Sequence, residues 1–442
     1  MNNLISHIAK HIHSKEYSKA FDLLQVLQKN GPNSPELYLL TGIAYLEMSM
    51  VENAWLWFWR GHEQFPSNQA LKKYVSLSKS TQEREWKIKQ TLQSLHTTSS
   101  FNHKNEDLRV LQGSIEIANQ MHTLAKGLHY HDVYAKTLNY YPYYLGYTSD
   151  YTWSLLDQKN TPSLNEKLRK LSQELCDQFD LFHFHFGTCL TWDASDIPIL
   201  KNDNKKLLMH HWGSDARIGS LAKQTNPYVV VKNQDETGIR RNLARLGHSF
   251  QHCIVPDMEL AQYVKDYYEH VHILPSSIDL THYGLVEPKQ NNKPLIVHAP
   301  TSPLVKGTSY ITKAIEHLKL TYDFDFELIQ GKSHEEAKKM YERADLIIDQ
   351  LHIGSYGLLA VECMAMGKPV ICWISDYMKE HYPDSLPIIS ANPDTITEII
   401  KQCLENQDGL MGIGKQGRIY VEEHHDMIKN SATLLDLYTR IK

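Results

Sequence analysis

The chain has 442 residues, a formal net charge of −5 at pH 7 and 42% hydrophobic residues. This length exceeds a single domain and suits two or three, and the composition is that of a folded globular protein. No basic stripe dominates any segment, which argues against a nucleic-acid-binding protein. No run of about 18 apolar residues could serve as a membrane span.

The six cysteines form no C-x-x-C pair. The sequence therefore predicts reduced thiols in the cytosol rather than a disulfide framework. The N-terminus, MNNLISHIAKHIHSKEYSKA, lacks the charged start and continuous apolar core of a signal peptide. We predict a cytoplasmic protein, which could still bind peripherally at a membrane surface.

The first 70 residues contain positions that recur at a spacing of 34: Ala20, Leu24 and Pro32 recur as Ala54, Phe58 and Pro66. This pattern resembles tetratricopeptide repeats, in which small residues stand where paired helices touch. Plain helical hairpins are the alternative. We predict a repeat-like helical module at 1–85 and a polar linker at 86–107. Two repeats are few for a free-standing array, so we expect this module to pack on the chain itself, on a second copy or on a protein partner.

From residue 109 onward, short apolar runs alternate with helical patterns. The predicted strands form two series, at 109–111, 134–138, 180–186, 205–211, 252–255 and 271–274, and then at 294–299, 326–330, 345–349, 369–374 and 387–389. Strands that alternate with helices predict parallel sheets covered on both faces. The fold class is therefore α/β, with two facing doubly wound, Rossmann-like domains at 108–286 and 287–425. A last helix at 426–442 could cross back to the first domain.

The segment IGSYGLLAVECMAMGKPVI at 353–371 is the most informative motif. A glycine-rich turn precedes a helix, and the N–H groups of residues 355–357 suit a diphosphate at the helix start. Glu362 lies in the middle of this helix among apolar neighbours, where a carboxylate needs hydrogen-bonding partners. The hydroxyls of a ribose would serve, and a backbone group or an arginine is the alternative.

A second motif, HAPTSPLVKGTSYITKAI at 298–315, follows the first strand of the second domain. Lys306 stands before Gly307 at the start of a predicted helix, where an ordinary loop lysine is one interpretation. Gly331 follows the strand at 326–330, as in a plain strand-to-helix turn.

These segments together resemble the retaining GT-B glycosyltransferases of family 4, also called glycosyl transferases group 1, over about 109–425. In that family, two glutamates separated by seven residues span the glycine-rich turn and the helix. Glu362 matches the second glutamate, whereas Gly354 stands in place of the first. The basic residue that accompanies the family's lysine is also missing, since Pro300 or Thr301 stands there. The resemblance implies that Glu362 holds the ribose and Lys306 the diphosphate, without a metal or another cofactor.

The same resemblance assigns the remaining site residues. DLFHFHFG at 180–187 places His185 at a strand end, where the family has a histidine near the transferred sugar, and a core histidine is the alternative. The predicted catalytic residues are His185, Lys306 and Glu362. The predicted donor contacts are Thr301, Lys306, Gly307, Gly331, Gly354, Ser355, Tyr356, Gly357, Leu358 and Glu362. The predicted acceptor-side residues are Asn119, Gln120, Asp215 and Arg217, with a local salt bridge as the alternative for the last two.

Two patterns imitate metal sites. Asp323-Phe324-Asp325 spells D-x-D, but it precedes a strand at its amino end, away from the expected cleft. Four histidines, His183, His185, His210 and His211, lie near strand ends without a regular ligand spacing. We predict no metal site from either pattern.

The sequence therefore predicts a hexosyltransferase-type glycosyltransferase whose donor is a nucleotide-diphospho-sugar, above all a UDP-sugar. A protein, a glycan or a lipid-linked sugar could be the acceptor. One alternative is an adaptor that binds a nucleotide-sugar without catalysis and a partner through its repeats, which the absence of a glutamate at 354 favours. A sugar-nucleotide epimerase on the same two-domain plan is another.

Overall fold

The computed structural model describes residues 2–30, 34–48, 54, 57, 58, 61, 62, 64–77, 108–141, 147–153, 155, 164–286 and 293–441. The chain forms two compact units. The first comprises Met1–Ser99, Tyr143–Gly146 and Gln330–His334, and the second comprises the remainder of the chain. The predicted linker at 86–107 lies outside the described residues.

The described residues of the first unit are mainly helical. They include α1 (Asn2–His13), α2 (Tyr17–Asn30), α3 (Pro35–Glu47) and α4 (Gln69–Leu77). Ala20, Ala54 and Phe58, which carry the 34-residue spacing, are all buried. Gly42 lies against the Phe58 ring so closely that a Cβ there would be 2.4 Å from Cε1. Small residues thus stand where helices touch, while the assignment to tetratricopeptide repeats stays a prediction and Pro32 lies outside the described residues.

The second unit contains a seven-stranded sheet in the order β3-β2-β1-β4-β5-β6-β7, and every pair of neighbours is parallel. The strands are β1 (Arg109–Ser114), β2 (Tyr134–Asn139), β3 (Tyr151–Thr152), β4 (Leu181–His185), β5 (Lys206–His210), β6 (His252–Val255) and β7 (His270–Ile273). The helices are α5 (Gln120–Tyr130), α6 (Leu164–Cys176), α7 (Asp196–Asn202), α8 (Gly219–Thr225), α9 (Glu236–Ser249) and α10 (Met258–Val264), followed by a 3₁₀ turn at Leu280–His282. The central strand β4 is buried along its whole length, as expected for a parallel sheet with helices on both faces.

A five-stranded sheet in the same unit has the order β12-β11-β10-β8-β9 and is also parallel throughout. Its strands are β8 (Leu295–His298), β9 (Asp325–Leu328), β10 (Leu346–Ile348), β11 (Val370–Cys372) and β12 (Ile388–Ser390). The helices are α11 (Pro303–Lys306), α12 (Thr308–Leu318), α13 (His334–Arg343), α14 (Leu358–Ala365), α15 (Asp376–Lys379), α16 (Ile396–Glu405), α17 (Gln407–His424) and α18 (Met427–Arg440).

Of the two late helices, α18 packs on the seven-stranded domain and α17 packs on the five-stranded domain. α18 follows the five-stranded domain in sequence, yet Leu434 and Tyr438 lie in the core of the seven-stranded domain beside Val110 and Leu124. α17 packs on α14 through Gly417, where a Cβ would be 3.2 Å from the Cβ of Met364. Gly414 lies against the turn after α14, where a Cβ would be only 2.0 Å from the backbone oxygen of Gly367, so no larger residue fits there without movement. The glycines of α17 therefore allow close packing against α14 and the turn that follows it.

The prediction of two parallel-sheet α/β domains is confirmed. β3 escaped prediction because its two residues, Tyr151 and Thr152, are too few to show a periodicity. Within the part of the chain that the structure describes, no helix combines the length and apolar character needed to cross a membrane.

Candidate functional site

Two loops meet at the carboxyl edge of the five-stranded sheet. β8 and β10 are parallel neighbours, with His298 opposite Ile348, so the loops that follow them leave the sheet side by side. The loop after β8 contains α11, which ends at Lys306. The loop after β10 runs from Asp349 to Gly357, where α14 begins. Parallel α/β sheets bind ligands at this edge.

A buried carboxylate joins the two loops. Asp349 is fully buried, and its Oδ1 lies 2.6 Å from the Nζ of Lys306, which donates a hydrogen bond. Its Oδ2 accepts from the N–H of Gly357 at 2.8 Å. The Gly357 N–H is thus engaged inside the protein, which corrects the prediction that it is available to a diphosphate. The sequence pattern alone gave Asp349 no role, although an acid directly after a buried apolar strand at this edge is a recognisable signal.

Glu362 lies on α14, about one and a half turns beyond Gly357. Its side chain is almost completely buried, and Oε1 accepts a hydrogen bond from the hydroxyl of Tyr283 at 2.8 Å. Burial and the adjacent Glu362 raise the pKa of Tyr283, so the neutral phenol remains a donor at physiological pH. One of the hydrogen bonds that the buried Glu362 carboxylate requires therefore comes from Tyr283, a partner that the sequence did not indicate.

Gly354 stands where the resembling family has its first glutamate. Its φ of +85° is in the left-handed region, which favours glycine. A Cβ there would lie 2.8 Å from the Nδ2 of Asn226 and 2.9 Å from the Cβ of Ser375. Asn226 is itself fixed, because Nδ2 donates to the backbone oxygen of His352 at 2.8 Å and Oδ1 accepts from the indole of Trp373 at 3.2 Å. In this conformation a glutamate has no room at position 354.

Other contacts also join the two sheet domains beside the glycine-rich turn. The backbone oxygen of Tyr228 lies 2.7 Å from Nδ1 of His352. Asp257, which follows β6, accepts from the hydroxyl of Tyr382 at 3.3 Å, and Ser355 also hydrogen-bonds to its carboxylate. Burial raises the pKa of Asp257 to about 6, with Ser355 among the groups that oppose the rise. The turn therefore faces the seven-stranded domain.

The side chains of the turn point into the protein. The hydroxyl of Tyr356 lies 3.1 Å from that of Tyr420 and 3.0 Å from Nε2 of His425. Ser355 is buried, and Leu358 packs against the core of the five-stranded domain. A ligand at this turn would therefore meet backbone groups rather than these side chains.

The other predicted donor contacts lie in two different places: Gly307 and Thr301 follow β8, whereas Gly331 belongs to the first unit. Gly307, with a φ of +76°, begins α12 directly after Lys306, and Thr301 is exposed in the same loop. Gly331 belongs to the first unit, where a Cβ on it would lie 2.8 Å from Cδ2 of Tyr17. The structure thus brings Lys306, Gly307, the 354–357 turn and Glu362 to one domain, with Gly331 outside this group.

His185 is fully buried at the end of β4. The indole N–H of Trp212 donates to its Nδ1 at 3.0 Å, so the neutral ring carries its hydrogen on Nε2, which lies 3.0 Å from Oε1 of Gln112. Burial and the neighbouring His183 hold the pKa of His185 well below its usual range. The predicted contact with a transferred sugar would require Gln112 or Trp212 to move.

His183, His185 and His210 form a buried stack whose ligand atoms lie within 4.8 Å of one another. The rings of His183 and His210 are only 3° from parallel, with centroids 5.3 Å apart. A ring nitrogen binds a metal in the plane of its ring, so stacked rings direct their lone pairs in parallel rather than toward one ion. His185 moreover has no uncommitted nitrogen. This arrangement does not fit the tetrahedral geometry of a zinc site.

His210 offers a test of this stack. Among the described residues, neither of its ring nitrogens has a hydrogen-bond partner, although both are buried. An unpaired buried polar group costs about 1–3 kcal/mol, so His210→Phe should raise the urea midpoint at pH 7 or leave it unchanged. The matched variant His211→Phe should lower the midpoint, because His211 hydrogen-bonds to Asp215 and Tyr268 at 2.8 Å each. A lower midpoint in His210→Phe would show that its nitrogens bind an internal water or another group.

The predicted acceptor-side residues after β5 are engaged in internal contacts. Asp215 accepts from the N–H of Trp212 at 3.0 Å, and its other oxygen lies 2.8 Å from Nδ1 of His211. Arg217 forms a two-point ion pair with Glu259, at 2.8 and 2.6 Å. For Arg217, the structure has the local salt bridge that the sequence left open, and both residues organise this loop.

The other two acceptor-side residues, Asn119 and Gln120, lie where the loop after β1 meets α5. Asn119 has a left-handed backbone, with φ of +61°, and precedes α5. The side-chain amide of Gln120 clamps Ser277, donating to its oxygen at 3.0 Å and accepting from its nitrogen at 2.7 Å. Glu116, to which the sequence pattern gave no role, accepts from two N–H groups in the first turn of α5. Burial raises the pKa of Glu116 to about 8, although these N–H groups lower it.

The D-x-D pattern lies at the amino end of β9. Asp323 and Asp325 are exposed, and Nζ of Lys293 lies 3.5 Å from an oxygen of Asp323 and 2.8 Å from one of Asp325. A lysine cation thus occupies the position between the two carboxylates.

Comparison with solved structures places this geometry in a known fold. A glycosyltransferase from Rickettsia africae ESF-5 is 14% identical, with a TM-score of 0.53 and coverage of 76% of this chain and 98% of that chain. Anabaena HepE in complex with UDP-glucose is 11% identical, with a TM-score of 0.51 and coverage of 76% and 100%. A putative UDP-N-acetylglucosamine 2-epimerase from Listeria monocytogenes is 12% identical, with a TM-score of 0.50 and coverage of 74% and 95%.

At these identities the similarity establishes the fold, which is the two-domain GT-B arrangement. No family model matches the sequence, and no curated protein matches it. The resemblance to family 4 therefore stays a prediction.

Proposed function

We propose that this protein transfers a sugar from a nucleotide-diphospho-sugar, specifically a UDP-sugar, to an acceptor with retention of configuration. The observation that carries the proposal is the placement of Lys306, the start of α14 and Glu362 at one carboxyl edge of the five-stranded sheet. The solved HepE structure, which has the same fold, is a complex with UDP-glucose.

The spacing along α14 matches a nucleoside diphosphate. Glu362 is five residues beyond Gly357, which is about 7.5 Å along the helix axis. A diphosphate beside Lys306 would lie at the positive end of the helix dipole, and the ribose hydroxyls would then reach toward Glu362. The Lys306 side chain is 16% exposed, so it is partly open to the solvent, whereas its partner Asp349 is not.

The chemistry needs little from the protein beyond position and charge. The bond between the sugar C1 and the diphosphate oxygen breaks, and the acceptor oxygen forms its bond to C1 on the same face. The acceptor proton passes to an oxygen of the departing diphosphate. Lys306 and the helix start stabilise the charge that develops on that diphosphate. This route uses no side-chain base, in keeping with the engaged nitrogens of His185.

Glu362 provides the direct test. Hydrogen bonds to a charged group contribute about 1.5–3 kcal/mol each, so Glu362→Gln should reduce kcat/KM for donor turnover by about 10-fold or more, with UDP binding weakened in parallel. UDP release from a panel of UDP-sugars measures turnover, and calorimetric titration measures UDP binding. Tyr283→Phe is the matched control, since it removes the hydroxyl that contacts Glu362 and leaves the carboxylate in place. Unchanged UDP affinity in Glu362→Gln would contradict the assignment of the ribose to this residue.

The same panel separates the competing functions. A protein that binds UDP but turns over no donor would be a nucleotide-sugar-binding adaptor, to which the crowded position at Gly354 points. Conversion of UDP-N-acetylglucosamine to its 2-epimer would support an epimerase, the activity named for the Listeria structure. We place the transfer reaction in the cytoplasm, with residues 1–85 recruiting the acceptor or a protein partner.

A further inference from the structure

Lys306 and Gly357 share one buried acid. Nζ of Lys306 and the N–H of Gly357 donate to the two different oxygens of Asp349, at 2.6 and 2.8 Å. A Cβ on Gly357 would lie 3.3 Å from Nζ of Lys306, so the ammonium sits directly beside the start of α14. Asp349 is thus the connection that fixes the spacing between cation and helix start.

The burial of these groups is unequal. The side chain of Asp349 has no exposed surface, whereas that of Lys306 is 16% exposed. A ligand that arrives from solvent therefore meets the lysine before the carboxylate. The lysine ammonium has three hydrogens, so it can hold Asp349 with one and offer others to a phosphate oxygen.

We propose that Asp349 is a positioning residue for the donor diphosphate, which holds the ammonium of Lys306 beside the start of α14 before the donor binds. This inference rests on the proposed glycosyltransferase function. A free lysine side chain samples many rotamers, and binding of a diphosphate would otherwise have to remove that conformational freedom. The ion pair with Asp349 orders the Lys306 side chain before the donor binds. A charge that is already in position stabilises the departing diphosphate without further rearrangement.

Asp349 can take no direct part in the reaction. Both of its oxygens are engaged, and neither reaches solvent. Its role must therefore pass through Lys306, which makes the pair open to a double-mutant cycle.

The test uses the full chain and four proteins: wild type, Asp349→Asn, Lys306→Met and the double variant. Asp349→Asn keeps the shape but loses the charge, and we expect kcat/KM for UDP-sugar turnover to fall about 10-fold, because Lys306 is no longer held. In the Lys306→Met background, the same Asp349→Asn change should alter kcat/KM by less than about twofold. Circular dichroism at the assay temperature establishes that all four proteins are folded.

Asp345→Asn is the matched control. Asp345 lies before the amino end of the same strand, where it accepts from the N–H of Leu295, and this substitution should leave turnover unchanged. An equal loss from Asp349→Asn with and without Lys306 would show a general structural role and overturn the inference. Tighter UDP binding in Asp349→Asn would also overturn it, since the carboxylate would then compete with the diphosphate. A wild-type protein that neither binds UDP nor turns over any donor would refute the proposed function itself.

Discussion

Replacing Lys306 with methionine should lower the free energy of unfolding by about 3 kcal/mol, and adding Asp349→Asn should restore most of that loss. Lys306 is the cation that accompanies a carboxylate with no exposed surface. Removing one member of a buried pair leaves an uncompensated charge, which costs about 3–5 kcal/mol. Because Lys306 is partly exposed, we expect the lower end of that range.

Thermal and urea unfolding of the four proteins measure this effect. The transition of Lys306→Met should come at a lower temperature and a lower urea concentration than that of wild type, and the double variant should return close to it. The matched lysine is Lys293, whose partners Asp323 and Asp325 are exposed, so Lys293→Met should have almost no effect. An unchanged transition in Lys306→Met would contradict the assignment of Lys306 as the cation that compensates Asp349.

This result determines how loss of activity can be interpreted. An inactive Lys306→Met protein could have lost its phosphate-binding cation or simply its local structure. The double variant separates these causes, because it keeps the fold but lacks the cation. Stable folding with lost turnover in the double variant would assign Lys306 to the diphosphate.

The sheet domains could be predicted from sequence because their central strands, such as β4, β10 and β11, are buried on both faces. A short apolar run such as Leu346–Ile348, with a helical pattern on either side of it, is typical of a strand in a parallel sheet. The helix start at Gly357 and the carboxylate at Glu362 follow from the same local reasoning, since both depend on neighbours within a single helix.

The contacts that modify the site depend on distant parts of the chain. Asn226 fills the space beside Gly354, although the two residues are 128 positions apart in sequence. Tyr283 reaches Glu362 from 79 residues away. His185 was placed correctly at a strand end, but its hydrogen bonds to Gln112 and Trp212 depend on packing between strands. No local pattern carries such information.

Acid should unfold the second unit unusually early, because it buries several histidines whose pKa is lowered, among them His183, His185, His210, His298 and His425. Burial lowers the pKa of His183 to about 3 and those of His298 and His425 to about 4. It also holds the pKa values of His185 and His210 well below the usual range. In the unfolded chain each histidine titrates near pH 6.5, so the unfolded state binds more protons below that pH. Stability is therefore fully present above about pH 6.5 and falls as the pH decreases.

Buried acids oppose this trend, and burial raises the pKa of Glu116 to about 8, that of Asp257 to about 6 and that of Asp196 above its usual range. The folded protein therefore holds protons on these acids that the unfolded chain releases down to about pH 4. Proton binding by these acids stabilises the folded state as the pH falls, whereas the buried histidines destabilise it. Because the histidines outnumber the acids, the free energy of unfolding should fall by roughly a few kcal/mol between pH 7 and pH 5.5.

Urea unfolding at pH 7.0, 6.0 and 5.5 measures this loss as a falling midpoint. His210→Phe removes one titrating group from the stack, so the unfolded variant binds one proton fewer in acid and its midpoint should fall less steeply with pH than that of wild type. Substitution of His270 by phenylalanine is the control, because His270 is exposed on β7 rather than buried in the core. Midpoints that do not change between pH 7.0 and 5.5 would mean that the buried rings already bind protons in the folded protein. Because each ring lies in a core without an exposed face, a protonated stack would then require a buried anion beside it.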